Sequence, residues 1–245
     1  MGGHTGDMIL FSFWPNTIIL KELGDPLSFS EYLNLNRKDL TAKVILVQSE
    51  QSTDCLGDLN TCSPSFLQGF ASVVSGENTA SEINREFLNS RNFAGYNGHR
   101  SESAVLTYTF HYTFKKLGLG LDGLKHVVTP LDSDQIERHP NGQILKHLKF
   151  SCRHLIVVGP NCIIGCLPNN TLFMVQDRQK WRSGVIGSDN GTFVFSSDIS
   201  ALNAVLPKRN IKRDFQPMNM DIAYVEPGSD EIQVYRQTEP LHFLN

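Results

Sequence analysis

From His154 onward the chain breaks into apolar runs of strand length, each closed by turn residues. "HLIVV", "CIIGCL", "TLFMVQ" and "TFVFS" are the runs; Gly159-Pro160, Pro168-Asn169-Asn170 and Ser188-Asp189-Asn190-Gly191 punctuate them. Links this short can reverse a strand but cannot carry a crossover to a parallel neighbour, so this half predicts antiparallel β-structure. "ISALNAVL" reads as a short helix, and "DIAYVE" and "EIQVYR" as a closing hairpin around "PGSD".

The first half alternates helix and strand patterns. "KVILVQ" is a β-branched run, "CSPSFLQG" reads as loop, and "FASVV" as a strand ended by Ser75-Gly76. "TASE" has the spacing of a capping box, with Thr79 accepting from the first turn and Glu82 reaching back. Ile83, Phe87 and Leu88 form the expected apolar face behind it. After the loop "RNFAGYNGHR", the strongest helix pattern is "SESAVLTYTFHYTFKKLG". Ser101 is its N-cap, Leu106, Phe110, Thr113 or Phe114, and Leu117 its stripe, and Lys115, Lys116 and Gly118 its C-terminal end. Mixed elements followed by an antiparallel half predict α+β rather than a doubly wound parallel sheet.

At 245 residues, with 40% hydrophobic and 19% charged residues, the composition is that of one globular domain, taken as 1–245. A net charge of -3 offers no bulk attraction to nucleic acid or anionic lipid. No apolar run is long enough for a membrane-spanning helix, and the N-terminal apolar patch lacks the flanks of a signal peptide. Five cysteines, an odd number, argue against a disulfide framework and for a reducing, cytoplasmic setting. The sequons at Asn169 and Asn190 then read as turns.

Few side-chain groupings point to chemistry. Cys162 and Cys166 lie on an apolar run without a histidine cluster, so they read as buried thiols, and no metal or other cofactor is expected. "GENTASE" and "GLGLDG" fit neither a phosphate loop nor a dinucleotide turn. The eight histidines are scattered and read as surface or structural residues. Lys208, Arg209, Lys212 and Arg213 read as a solvated loop. The remaining feature is "VQDRQKWRS", with Asp177, Arg178, Lys180 and Arg182 between two strand-like runs.

"DRQKWRSGVIGSDNGTFVFSSDISAL" resembles the segment of class II glutamine amidotransferase domains in which an Asp-Arg-x-x-x-Arg-Pro turn leads to a strand, a Gly-containing turn and a Ser-Glu before a helix. Asp177, Arg178 and Arg182 match; Ser183 stands for the Pro, and Ser197-Asp198 for the Ser-Glu. "SESAVLTYTFHYTFKKLGLGLDGL" is similar to the family's Thr-Asp-Ser-Glu-Val helix, and "FASVVSGENTASEINREFL" to the strand and helix around its His-Asn-Gly-Glu. "ILKELGDPLSFSEYLNL" resembles the Gly-Asp-Pro segment of the glutamate-synthase type, and "DFQPMNMDIAYVEPGSDEI" the family's Pro-Gly tail. The resemblance runs from about Ile18 to Tyr235. It implies an N-terminal-nucleophile hydrolase fold, a four-layer αββα sandwich.

The departures fall on the chemistry. The family's nucleophile is an N-terminal cysteine whose own amine is the base. This sequence reads Met1-Gly2-Gly3, has no cysteine before Cys55, and is expected to lack the first, nucleophile-bearing strand. The family's His-Thr-Arg, whose Arg grips the glutamine carboxylate, falls on Gln48-Ser49-Glu50, an anion in place of a cation. The oxyanion segment falls on Ser75-Gly76-Glu77, one residue short, and the ammonium-holding Asp on Glu102. The expectation is a catalytically inactive domain. Glu50, Ser75, Gly76, Glu77 and Glu102 mark the remnant of the pocket; Asp177, Arg178, Arg182, Ser197 and Asp198 order a turn. Its partner would be a glutamate-synthase-like subunit or a second copy, with an amino acid as possible ligand, and neither nucleic acid nor membrane. Two alternatives are an active glutaminase using Cys55 or Cys62, or a nucleophile supplied by another chain, and a sensor in which Glu50, Glu77 and Glu102 hold an amine-bearing metabolite.

Overall fold

The computed structural model describes residues 7–13, 16–21, 24–37, 41–49, 64–79, 81–93, 96, 102–117, 159–176, 181–206 and 222–235. The readings on Cys55, Cys62, Cys152, Ser101, 119–158 and the basic cluster at 208–213 lie outside these residues.

The described chain opens on a strand, β1 (Asp7–Phe13), which corrects the expectation that a first strand is missing. β1 pairs antiparallel with β2 (Asn16–Lys21) from Met8↔Lys21 to Phe13↔Asn16, and with β3 (Val44–Ser49) from Asp7↔Ser49 to Ser12↔Val44. Its physical role is plain from the order β2-β1-β3: β1 is the central strand of a three-stranded sheet, and supplies β3 with its ladder. Between β2 and β3, Gly24 (φ 148°) precedes Asp25, whose carboxylate accepts from the N–H groups of Leu27 and Ser28 and caps α1 (Pro26–Tyr32). Pro26 at the first helical position completes a start legible in "GDPLS". Those hydrogen bonds, the Ser28 hydroxyl first, hold the Asp25 carboxyl below its usual range.

The core is an antiparallel six-stranded sheet in the order β11-β10-β7-β6-β5-β4. Its members are β4 (Ser65–Leu67), β5 (Phe70–Gly76), β6 (Asn161–Cys166), β7 (Leu172–Gln176), β10 (Ile222–Val225) and β11 (Gln233–Tyr235). β4 corrects the loop reading of "CSPSFLQG". It is folded back onto β5 by a two-residue turn whose residues both have positive φ, Gln68 at 50° and Gly69 at 91°.

Both faces of this sheet are covered. Phe70, Val74, Ile163, Phe173, Val175 and Ile222 form one face with Leu106 of α3 (Glu102–Leu117). There Ser72 and Thr107 share a hydrogen bond of 2.5 Å. Ala71, Val73 and Cys166 face the other way, against Leu46 of β3. On that same side Cys162, Met174 and Ala223 meet Ile186 of β8 (Val185–Asp189), which forms a hairpin with β9 (Thr192–Ser196) through Asn190 and Gly191, both with positive φ. Leu202 and Leu206, in and just after α4 (Ile199–Val205), pack over Gly187 of that hairpin.

α2 (Ser81–Ser90) lies against α3 through Phe87, Leu88, Phe93, Tyr96, Val105 and Tyr112. Ile83 is exposed, contrary to the expected apolar stripe, and Asn84 is buried in its stead. The Glu82 carboxylate pairs with Arg85 rather than reaching back to cap the helix. α3 is buried more widely than one stripe: Leu106 and Thr107 meet the sheet, while Val105 and Tyr112 meet α2. A helix between a sheet and another helix buries more than one side.

One side chain ties the two sheets together. β4 reaches only as far as the Ser65↔Ser72 pair, so among the described residues Val74 has no strand neighbour on that edge. The Gln48 carboxamide takes the place of a peptide: Nε2 donates to the Val74 carbonyl at 3.0 Å and Oε1 accepts from the Val74 N–H at 3.2 Å. Gln48→Leu leaves both backbone groups without that partner. A loss of about 2 kcal/mol is expected in urea unfolding, with Gln48→Glu in between because it keeps only the acceptor.

Candidate functional site

Of the residues singled out in sequence, Ser75, Gly76, Glu77 and Arg182 meet at one end of the six-stranded sheet, where β5 and β7 finish and β6 begins. The register sets Ser75↔Cys162↔Gln176 as a cross-strand row, with Gly76↔Asn161 one step beyond. Gly76 has φ 114°, and a Cβ placed on it would sit 1.9 Å from the Pro160 carbonyl oxygen. Only glycine fits. Glu77 donates its N–H to that same Pro160 oxygen at 3.0 Å, and the Asn161 amide donates to the carbonyls of Glu77 and Gly159 at 3.3 and 3.1 Å. The strand end is therefore stitched to the start of β6.

Hydrogen-bond alternation fixes the direction of the Gly76 peptide groups. Val74 gives its N–H and C=O to Gln48, away from β6. Ser75 faces β6, and so does the N–H of Glu77. Across trans peptides, the N–H of Gly76 is opposed to the C=O of Ser75, and its C=O to the N–H of Glu77. Both Gly76 groups point away from β6.

Arg182 is brought to this same point. Its Cγ lies 3.0 Å from the position a Gly76 Cβ would take, so its aliphatic stem rests on the strand end while the residue stays exposed. Arg182 and Ser183 are tied to the fold on two sides. Gln176, 2% exposed, donates from Nε2 to the Arg182 carbonyl, and the Ser183 hydroxyl donates to the Ser197 carbonyl. Gly184 closes over Met174 and Cys162, with a Cβ position 3.1 and 3.2 Å from their sulfurs. The buried Gln176 Oε1 has no hydrogen-bond partner. Trp181 is 67% exposed.

Ser197 and Asp198 belong to the turn before α4. Asp198 is its N-cap, accepting from the Ser200 N–H at 2.8 Å, and its own N–H donates to Ser196 Oγ at 3.0 Å. Glu102 begins α3. Glu50, Asp177 and Arg178 lie outside the described residues. Sequence reasoning places Gly76 in a pocket and Arg182 in a separate turn; the structure brings the two into contact. It misses Gln176, Pro160 and the carboxamide of Gln48, whose parts are set by long-range register rather than by any local motif.

Chemically, the strand end brings together the peptide groups of Gly76, the stem of the exposed Arg182 and the exposed Glu77. The described thiols are not presented for reaction. Cys162 and Cys166 are 1% and 4% exposed, and burial pushes the Cys166 thiol up to about 12. No group of metal-ligating side chains occurs among the described residues. No helix among them is long and apolar enough to cross a membrane.

The chain as a whole resembles known structures. It aligns over 96% of its length with the allosteric regulatory enzyme of purine biosynthesis, at 13% identity and a TM-score of 0.62. It aligns equally far with the glutamine phosphoribosylpyrophosphate amidotransferase from B. subtilis, at 13% identity and a TM-score of 0.59. In each case it spans 43% of the other chain, less than half its length. A glutamine aminotransferase class-II domain protein from Silicibacter pomeroyi matches over 94% of this chain and 90% of its own, at 11% identity and a TM-score of 0.52. No family profile matches the sequence, and no curated protein does. The likeness is one of fold: the mixed helices and antiparallel sheets match those of these amidotransferase structures.

Two outcomes follow from the site geometry. Gly76→Ala drives a methyl group into the Pro160 carbonyl at a φ that alanine avoids, so a loss of at least about 2 kcal/mol is expected in thermal or urea unfolding. Of the five thiols, Cys162 and Cys166 are expected to resist iodoacetamide at pH 8 in the native protein and to react on unfolding, read by peptide mass mapping.

Proposed function

We propose that this chain is a degenerate class II glutamine amidotransferase domain of the glutamate-synthase type, a four-layer αββα sandwich that no longer hydrolyses glutamine and serves as a subunit or scaffold for a partner synthase. The observation that carries the reading is a fold kept along nearly the whole chain while its described thiols are sealed in the sheet: Cys162 and Cys166 pack in the core. Three sequence departures support it. Glu50 stands where the resemblance calls for a carboxylate-gripping arginine, Ser75-Gly76-Glu77 is one residue short of the oxyanion segment, and Glu102 replaces an aspartate. Losing one oxyanion donor alone typically lowers the rate about a hundredfold or more. The glutamate-synthase assignment rests on "GDPLSFSEY", which forms the Asp25-capped start of α1.

The test is ammonia release from L-glutamine by the full chain, with affinity purification from its native source on the same preparation. The expected result is no release above background and recovery with a partner chain. Turnover that disappears in Cys55→Ala or Cys62→Ala instead establishes an active glutaminase and overturns the scaffold reading. A chain that stays monomeric and alone through purification removes the subunit role.

A further inference from the structure

We infer that the outer face of the β2-β1-β3 sheet is a docking surface for a single amphipathic helix of a partner chain. The inner face of this sheet is already covered. Leu46 packs on Ala71 and Val73 with Val44 beside it, and Gln48 bonds to Val74. Strand alternation puts Ile45 and Val47 on the opposite side. The register extends them into two cross-strand rows, Ile18–Phe11–Ile45 and Leu20–Ile9–Val47, and all six positions are apolar. Strands that read "MILF", "IIL" and "VILV" have the continuous apolar pattern of a sheet covered on both faces, not the alternation of one that meets water. Yet Ile18, Ile45 and Val47 are 40%, 51% and 57% exposed. A contiguous apolar face of this kind marks an interaction surface.

The dimensions of the face select its occupant. Three strands at a spacing of about 4.8 Å put the outer two about 10 Å apart, which is the width of one helix with its side chains, about 10–12 Å. A strand of this length runs about 20 Å, matched by about 13 residues of helix. The footprint of about 200 Å² is far below the roughly 800 Å² per partner that a stable contact between two globular surfaces buries. The face is therefore too small to hold a second copy of this chain sheet against sheet. A helix laid on a sheet is also the solution the chain uses itself, where α3 covers Phe70, Val74 and Ile163. The described helices α2, α3 and α4 are engaged elsewhere: α3 lies on the six-stranded sheet with α2 against it, and α4 lies over the β8–β9 hairpin. The partner helix is one with apolar residues at i, i+3, i+4 and i+7 toward the sheet and polar residues outward. Neither row contains a charged residue, so recognition rests on apolar burial and shape. The inference rests on the subunit reading in requiring a partner, and on nothing about glutamine.

The experiment is photo-crosslinking of the full chain in its native source, with a benzophenone amino acid in place of Val47 and, in a parallel sample, of Ile83, which is 48% exposed on α2. The linked peptides are sequenced by mass spectrometry. The segment caught from Val47 is then synthesised and titrated with the pure chain, followed by circular dichroism. The expected result is one segment of another protein with an apolar helical period, which gains helix on binding. Its affinity falls at least tenfold in Val47→Lys and in Ile45→Lys, because each buries an unpaired charge under the helix, and is unchanged in Ile83→Lys. Thermal unfolding checks that the lysine variants fold; Ile18→Lys, on a different strand, keeps the test decisive should the β3 variants unfold. Links from Val47 to a second copy of this chain, or to another part of the same chain, overturn the proposal and name the occupant instead. No link, a segment without the helical period, or an affinity indifferent to the three sheet substitutions overturns it as well. A partner caught from Ile83 but not from Val47 rejects this face and leaves the subunit reading standing, so the two failures are told apart.

Discussion

β5 is the strand on which the rest depends, because both of its faces are buried. Phe70 through Val74 are all sealed, so neither face can be left to water. Even-numbered positions demand one partner and odd-numbered positions another. The first demand is met by α3, with Leu106 packed and Thr107 bonded to Ser72. The second is met by β3, with Leu46 against Ala71 and Val73. Sheet and helix on one side, sheet on sheet on the other, follow from that single strand. The stack continues on the far side where α4 closes over the β8–β9 hairpin. A strand buried on both faces also needs its backbone bonds met at each edge, and Gln48 does this where β4 is too short.

Runs such as "FASVV" and "CIIGCL" are legible in sequence because a continuous apolar stretch of that length, bounded by Gly or Pro and rich in β-branched residues, fits a strand buried on both faces. β4 is not legible. Three residues flanked by Ser and Pro carry no period, and the turn Gln68-Gly69 lacks the Asn-Gly or Asp-Gly that announces such a hairpin. Its strand state is imposed by pairing with β5. The buried face of α2 departs from the apolar pattern at Ile83 because the helix is aimed at α3 through Phe87 and Leu88, and a neighbour, not hydrophobicity alone, decides which side is buried. β1 escapes sequence reasoning for the same reason: an apolar patch near a terminus becomes a strand only when β2 and β3 are there to receive it. Of the site, the residue types are visible in sequence, but the contact between Gly76 and Arg182, far apart along the chain, is not.

That contact changes what the motif "VQDRQKWRS" means. Taken as a string, it is a polar hairpin between strands. In the fold, its first residues close β7, Gln176 turns inward to hold the Arg182 carbonyl, and Ser183 fastens the far side to Ser197. The described end of the motif, Trp181 to Ser183, is thus tied both to β7 and to the turn before α4. Positioning of this kind is what a binding site requires of its scaffold.

The same observations show how a motif can match a catalytic family while deciding nothing about catalysis. Gly76 is required by the passage of the Pro160 carbonyl, which no side chain could accommodate. Asp198 is required to cap α4, and Asn161 to tie the strand ends together. Each has a sufficient reason in backbone geometry, independent of any substrate. A nucleophile, a carboxylate clamp and an ammonium holder have no such second reason. They do not pack the core, and a fold loses little stability when they change. A chain of this kind can therefore keep every feature that makes the fold recognisable and still have exchanged its chemistry.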